Sequence, residues 1–261
     1  MAFSLKTLRP LAGAGLLLAA VAAVAGACGG DDNAAPRPTA TSGAKVTAAA
    51  SGATAPSSAA FDAMAAALAK VDYPRDLADG TALGKKDAKV VIQAYEDFTC
   101  PHCLEFTEGI EPGFIDELVK TGAVRFEFKY LPLRQSSVGI MIAAQCAADQ
   151  NRFWDYQKLL FIGQAKADAK PQDQYGQAMA DTFSVDGQKQ MAATVGLDAA
   201  KFGDCLTNNQ PALDKIQADY AEASKLKITG TPGFVVNGQY LGESYPADVA
   251  AWKKLVDGLK K

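Results

Sequence analysis

The stretch KVVIQAYEDFTCPHC, residues 89 to 103, predicts a strand that leads directly into a helix. Its β-branched run VVI is typical of a strand, and Pro101 suits the first turn of a helix. Cys100 and Cys103 therefore lie at the start of the predicted helix, in the motif CPHC. Such a motif can serve as a redox catalyst, as half of a metal site or as a small structural disulfide.

The structural and metal uses of CPHC are poorly supported. Cys100 and Cys103 lie on one face of a helix and can form a disulfide, but so short a loop gives only roughly 2 kcal/mol of stabilisation. A zinc site needs two further ligands. His102 is the only histidine, and the sequence has no second ligand pair with the usual spacing. We therefore expect no metal at this motif.

A redox role makes use of the position of Cys100 at a helix amino terminus. Free backbone N–H groups and the helix dipole favour a thiolate there, so Cys100 is the expected nucleophile. His102 adds positive charge when it is protonated. Each unit by which the thiol pKa falls stabilises the dithiol by about 1.4 kcal/mol and raises the reduction potential by roughly 30 mV. Cys103, one turn further along, is the expected resolving thiol.

The whole-chain composition is that of a globular protein. The chain has 261 residues, 49% of them hydrophobic, and a net charge of -3. Such a composition supports a substantial core. The slightly negative charge gives no electrostatic reason to expect nucleic acid as a partner.

The first 60 residues indicate export and a tether. Lys6 and Arg9 precede a charge-free run, residues 11 to 28, which ends in AGAC, so we interpret residues 1–27 as a signal peptide. A membrane anchor is the alternative, since about 18 apolar residues can just span a bilayer. Residues 28–60 are almost entirely Ala, Gly, Pro, Ser and Thr, and we expect a disordered tether.

The remaining patterns predict an α/β protein. Residues 61–133 have the pattern of a helix followed by strand, helix and strand. Residues 134–227 contain helical patterns and no convincing strand, which indicates an all-helical insertion. Residues 228–261 predict a hairpin around Asn237-Gly238 and a final helix that opens at Pro246.

Four motifs in this order resemble the DsbA-like thioredoxin-fold proteins of the bacterial cell envelope, over about residues 83 to 261. The motifs are LGKKDAKVVIQAYEDFTCPHC, CAADQNRFWDYQKLLF, FGDCL and ITGTPGFVVNGQYLG. The resemblance implies a thioredoxin fold with an all-helical domain inserted between its two halves. It also implies a protein-disulfide oxidoreductase that needs no cofactor beyond the redox-active disulfide between Cys100 and Cys103.

The resemblance also implies the substrate-binding loop. The Thr231-Pro232 bond is expected to be cis and to pack against the Cys100 sulfur, with the Thr231 backbone free to pair with an extended substrate chain. A simple turn before the hairpin is the alternative for Pro232. The Pro101-His102 pair matches that of the strongly oxidising members, which favours an oxidase.

Two acidic residues precede the motif. Family members often carry an acid three positions before the first cysteine, where this chain has Asp97, and Glu96 is its neighbour. Either side chain could assist proton transfer from Cys103. A solvated carboxylate at the end of a strand is the alternative.

The other three cysteines are interpreted through the same resemblance. Cys146 and Cys205 occupy positions where some relatives have a second disulfide, and closing so long a loop would give roughly 4 kcal/mol; two separate buried thiols is the alternative. Cys28 would then be the odd cysteine, and acylation would explain it. AGAC resembles a lipobox but has Ala25 where a larger aliphatic residue is usual, so cleavage after Ala27 without a lipid stays open.

The sequence thus predicts an exported enzyme, lipid-anchored in the bacterial envelope, that introduces disulfides into reduced or unfolded exported proteins. A membrane quinone-linked partner would reoxidise it, by family analogy, and we expect a monomer. An envelope reductase or isomerase is the first alternative. A non-catalytic thioredoxin-like protein that binds metal or a partner chain is the second.

Overall fold

The structure is a computed structural model that describes residues 58 to 259. The predicted signal peptide, Cys28 and most of the predicted tether lie outside the described residues. The first helix begins at Ser58, so the last three residues of the predicted tether are helical. Alanine-rich sequence has a high helix propensity, which explains this earlier start.

Ten α-helices and six strands make up the described range. The helices are α1 Ser58–Leu68, α2 Pro101–Gly109, α3 Glu111–Phe114, α4 Ser137–Ala148, α5 Phe153–Asp168, α6 Gln172–Thr182, α7 Val185–Thr194, α8 Ala199–Thr207, α9 Gln210–Lys225 and α10 Val249–Leu259. The strands are β1 Ala78–Asp79, β2 Ala82–Leu83, β3 Val90–Glu96, β4 Val124–Tyr130, β5 Gly233–Val236 and β6 Gln239–Tyr240.

The strands form one mixed sheet in the order β1-β2-β4-β3-β5-β6. β3 and β4 are parallel, and β5 pairs antiparallel with β3. The chain passes from β3 to β4 through α2, α3 and a π-helical segment, Ile115–Val119. Pro112 has no N–H to continue the hydrogen-bond ladder, consistent with the break between α2 and α3. The α/β class and the helical insertion agree with the prediction.

The hairpin between β5 and β6 also fixes the sheet register. Asn237 and Gly238 have φ values of 47° and 82°, the left-handed conformations that a two-residue hairpin needs. The Asn237 N–H donates to the Val91 carbonyl at 2.9 Å, and its side-chain oxygen accepts from the Val91 N–H at 2.8 Å. One turn residue therefore holds the hairpin against the central strand.

Polar contacts attach the helical insertion, α4 to α9, to strand β4. Asp219 of α9 is buried and accepts a hydrogen bond from the Tyr130 N–H at 3.1 Å. The Lys129 ammonium lies 3.0 Å from a Glu222 carboxylate oxygen and 3.5 Å from Asp219. The insertion is thereby held to the strand that lies beside β3 in the sheet.

Candidate functional site

Cys100 lies where the central strand gives way to helix α2. It is the N-cap residue, with extended backbone angles (φ -88°, ψ 122°), and Pro101 follows at the first helical position. The Cys100 carbonyl accepts from the Leu104 N–H at 3.2 Å. Cys100 is 6% exposed, Cys103 is fully buried, and both are free thiols. Only Cys100 is open to attack from solvent.

The two thiols have opposite pKa shifts. The pKa of Cys100 falls to about 6, chiefly because the Cys103 thiol donates a hydrogen bond to the thiolate. Burial opposes this shift, while the Thr231 side chain and the backbone N–H groups of Cys103 and His102 lower the pKa further. Burial raises the pKa of Cys103, and the hydrogen bond to Cys100 raises it more. The site holds one thiolate and one protonated thiol near neutral pH.

His102 lies at the exposed edge of the site. Its Nδ1 atom is 3.0 Å from a Glu105 carboxylate oxygen, and this contact raises the pKa of His102. The neighbouring Cys100 thiolate raises it further. A protonated His102 and an ionised Cys100 therefore favour each other.

The cis-proline loop lies beside Cys100. The Thr231–Pro232 peptide bond is cis, and the Cys100 thiol donates to the Thr231 carbonyl at 3.3 Å. Gly233 follows, where a Cβ atom would overlap the Ile228 side chain. A depression of about 290 Å³ adjoins this loop, and its lining is His102, Thr229, Gly230, Thr231, Pro232, Tyr240, Glu243 and Tyr245.

Asp97 organises the loop before the motif. Its carboxylate is buried and accepts hydrogen bonds from the Thr99 N–H (2.8 Å), the Thr99 hydroxyl (2.9 Å) and the Leu133 N–H (2.8 Å). These three bonds are typical of a structural carboxylate. The interpretation of Asp97 as a solvated carboxylate is wrong, because the side chain is fully buried.

Glu96 is the acid that lies near the buried cysteine. It is fully buried at the end of β3, and within residues 58 to 259 neither carboxylate oxygen accepts a well-formed hydrogen bond. Burial raises its pKa, and the charges of Glu111 and Cys100 raise it further, whereas the Cys103 thiol lowers it by hydrogen bonding. Glu96 can therefore hold a proton close to Cys103.

Glu111 and Tyr73 were not predicted as site residues from the sequence. Glu111 is fully buried, and the Tyr73 hydroxyl donates to it at 2.5 Å. Neither residue belongs to a recognisable motif, and helical or strand periodicity alone does not distinguish a buried acid. Their proximity to Glu96 depends on how α3 and the segment before β1 pack.

Cys146 and Cys205 form a disulfide within the insertion, joining α4 to α8, with Cα atoms 5.8 Å apart. It closes a separation of 59 residues. This cross-link stabilises the insertion by constraining the unfolded chain.

The described part of the chain has neither a metal-binding cluster nor a bilayer-spanning helix. Between residues 58 and 259 no group of three or more His, Cys, Asp or Glu side chains is placed to hold a metal ion. In that range, no helix has the length and apolar character to cross a bilayer.

The βαβ unit, the paired cysteines at a helix start and the adjacent cis-proline loop define a thioredoxin-fold protein with a dithiol centre. A family model described as thioredoxin matches residues 77–258, more than two thirds of the chain. The chain belongs to this family. Its helical insertion gives the DsbA-like form of the fold, as in the alpha-DsbA1 structure from Wolbachia pipientis, with a TM-score of 0.54 and 22% identity over 69% of this chain and 89% of that one.

Two curated relatives match most of the folded part. "Na(+)/H(+) antiporter NhaA 1" from Salinispora arenicola is 28% identical over 165 residues, 62% of this chain and 22% of that protein. "Probable disulfide bond formation protein D" from Bacillus anthracis is 26% identical over 179 residues, 67% of this chain and 76% of that protein. The chain spans only about a fifth of the length of the antiporter.

Proposed function

We propose that this protein is a thiol:disulfide oxidoreductase that introduces disulfides into extracytoplasmic proteins by exchange at CPHC. The observation that carries the proposal is the placement of the motif: Cys100 starts helix α2 against the cis-proline loop, and Cys103 is buried behind it. This placement lowers the pKa of Cys100 to about 6 and raises that of Cys103. A low pKa stabilises the reduced enzyme and makes its disulfide a better oxidant. The name of the Bacillus anthracis relative agrees with this chemistry.

The reaction begins on the oxidised enzyme. A substrate thiolate attacks Cys100 Sγ, the bond between Cys100 and Cys103 breaks, and its electron pair leaves on Cys103, which takes up a proton. A second substrate thiolate then attacks the substrate sulfur of the mixed disulfide. A substrate disulfide forms, Cys100 leaves as a thiolate, and two electrons have passed to the enzyme.

Glu96 is the proposed source of the proton for Cys103. Its carboxyl group is buried, interacts with the Cys103 thiol and has a raised pKa, so it can deliver a proton where bulk water has little access. Asp97 is not part of this step in our proposal, because its oxygens are already occupied by hydrogen bonds.

The proposed substrate is an unfolded or reduced exported polypeptide that binds at the cis-proline loop. Thr231 and Pro232 line the depression, and the Thr231 carbonyl contacts the Cys100 thiol. An extended polypeptide of varied sequence could pair there with the loop backbone. Residues 1–27 support export, and acylation of Cys28 would attach the tether to the membrane. A quinone-linked membrane protein would reoxidise the monomeric enzyme, by family analogy.

Oxidation of reduced, unfolded ribonuclease by the purified oxidised protein tests this proposal. We expect the wild type to accelerate disulfide formation and the Cys100→Ser variant to be inactive. The Cys146→Ala/Cys205→Ala double variant loses two cysteines but keeps CPHC, so it should remain active at a temperature where it is folded. Equal activity of wild type and Cys100→Ser would exclude the proposed reaction.

A redox titration against glutathione separates the oxidase from the alternative enzymes. We expect a reduction potential closer to that of DsbA, about -120 mV, than to that of thioredoxin, about -270 mV. A value near that of thioredoxin would instead favour an envelope reductase. Stoichiometric zinc or copper in the purified protein would favour the non-catalytic binding protein.

A further inference from the structure

Two buried carboxyl groups interact with each other near the dithiol site. Glu96 ends β3, and Glu111 begins α3, directly after α2. Both residues are 0% exposed; the charge of Glu111 acts on Glu96, and the charge of Glu96 acts on Cys103. Two carboxylates in one dry site repel each other, so they do not readily ionise together.

The hydrogen bonds distinguish the two acids. Glu111 Oε1 accepts from the Tyr73 hydroxyl at 2.5 Å and from the Gln157 amide at 3.5 Å. Hydrogen bonds of this kind favour the ionised form of a carboxyl group. In the described part of the chain, Glu96 has no such donor apart from the Cys103 thiol. A proton held by the pair therefore stays on Glu96.

The ionisable and polar groups around the pair come from several elements. They are Tyr73 before β1, Cys100 and Cys103 at the start of α2, Asp155, Gln157 and Lys158 on α5, and Tyr245 before α10. The Lys158 ammonium lies 5.9 Å from the centre of the Tyr73 ring and donates to the Val71 carbonyl at 2.8 Å. It contacts Tyr73 rather than either carboxylate.

We propose that Glu111 is a positioning residue for disulfide exchange. Glu111 and Glu96 hold one proton between them, and Glu111 keeps that proton on Glu96, beside Cys103. This inference rests on the proposed function. Glu111 touches neither substrate nor cysteine and acts only through Glu96. The shifts agree with this arrangement: burial raises the pKa of Glu111 to about 7, and the Glu111 charge is the second cause, after burial, of the raised pKa of Glu96.

Protons pass between water and Cys103 through Glu96. When Cys103 leaves with the electron pair of the disulfide, the Glu96 proton moves to Cys103 Sγ, and the resulting Glu96 carboxylate takes up a proton from water because its pKa is raised. When the dithiol is reoxidised, Glu96 first releases its proton to water and then accepts the proton of Cys103, which attacks as a thiolate. The charge of Glu111 makes Glu96 the better proton acceptor in this second direction.

The test compares the pH dependence of substrate oxidation in single turnovers, with a peptide whose thiol is ionised throughout the pH range. Loss of the Glu96 proton should lower the rate on the alkaline side. In Glu111→Gln the repulsion is absent, so the midpoint of this alkaline fall should move down by about one pH unit or more. Glu108→Gln removes a charge from α2 outside the buried pair and should leave the midpoint unchanged.

Two further variants establish whether Glu111 acts through Glu96. Glu96→Gln should abolish the alkaline fall, and Glu96→Gln/Glu111→Gln should behave as Glu96→Gln alone. A Glu111→Gln shift that persists without Glu96, or no shift in Glu111→Gln, would overturn the proposal. A purely structural effect of Glu111 would lower the rate at every pH without moving the midpoint.

A measurement on the wild type covers the case in which Glu111→Gln does not fold. Carbon-13 NMR of glutamate side chains in the oxidised protein should show two carboxyl groups that titrate together, both above the ordinary glutamate range. Independent titration of all glutamates in that range would overturn the pair. This readout needs no turnover, so a wild type that fails to oxidise substrates would refute the proposed function while leaving the proton pair standing.

Discussion

Replacement of Cys103 tests why Cys100 is a thiolate. The hydrogen bond from the Cys103 thiol is the largest cause of the low Cys100 pKa, about 6. A hydrogen bond to a charged group contributes about 1.5–3 kcal/mol, which corresponds to roughly one to two pKa units. In Cys103→Ala the donor is absent, so the Cys100 pKa should rise to between about 7 and 8.

The Cys103→Ser variant is the matched control. Its hydroxyl group can still donate to the Cys100 thiolate, so its Cys100 pKa should stay closer to the wild-type value than that of Cys103→Ala. Both variants contain a single thiol in the motif. Subtracting the ultraviolet absorbance of Cys100→Ser/Cys103→Ala at each pH removes any contribution of Cys28, so the difference reports the Cys100 thiolate. The titration midpoint is the quantity to compare, rather than a reaction rate at one pH. The thiolate of a less acidic thiol is intrinsically more nucleophilic, which partly offsets the smaller thiolate fraction in such a rate.

A Cys100 pKa that stays near 6 in Cys103→Ala would refute this reasoning. The helix amino terminus and the Thr231 side chain would then suffice to hold the thiolate. A rise in both variants would show that the hydroxyl group does not replace the thiol as a donor. Circular dichroism of the variants verifies that the helix start is intact before the titrations are compared.

Three further outcomes are expected. The reduction potential should fall by about 60 mV per pH unit below pH 6 and by about 30 mV per unit above it, since reduction takes up two protons below the Cys100 pKa and one above. Redox titration at an electrode measures both slopes, and one constant slope through pH 6 would contradict the low Cys100 pKa. Cys146→Ala/Cys205→Ala should lose about 4 kcal/mol of unfolding free energy in denaturant, and a loss under about 1 kcal/mol would contradict the loop-closure account. Asp97→Ala should lose about 3 kcal/mol in the same assay because the N–H groups of Thr99 and Leu133 lose the buried carboxylate that accepts from them, and an unchanged stability would contradict that role.

The cysteine motif and the main fold were predictable because they depend on local sequence. A β-branched run, CPHC and Pro101 specify the strand and the helix start within 15 residues, and they predict Cys100 as the nucleophile. Asn237-Gly238 specifies the hairpin in the same way, since few residue pairs adopt its backbone conformations. The two-residue strands β1 and β2 were missed, because their pairing depends on β4 and they carry almost no periodicity of their own.

The helix boundaries were less predictable. The pattern in residues 61–133 predicted one helix between the two strands, and the structure has α2, α3 and a π-helical segment there. The final helix begins at Val249 rather than at Pro246. Tertiary packing selects such ends, and local residue preferences constrain them only within a few residues.

The sequence by itself predicts Cys100 as the reactive cysteine, because a helix start and its free N–H groups are local features of the chain. Only the tertiary structure decided between the adjacent acids Glu96 and Asp97: three hydrogen bonds occupy Asp97, whereas Glu96 is buried beside Cys103 and Glu111. Burial and charge repulsion depend on groups brought together from distant positions, such as Tyr73, and no local pattern contains them.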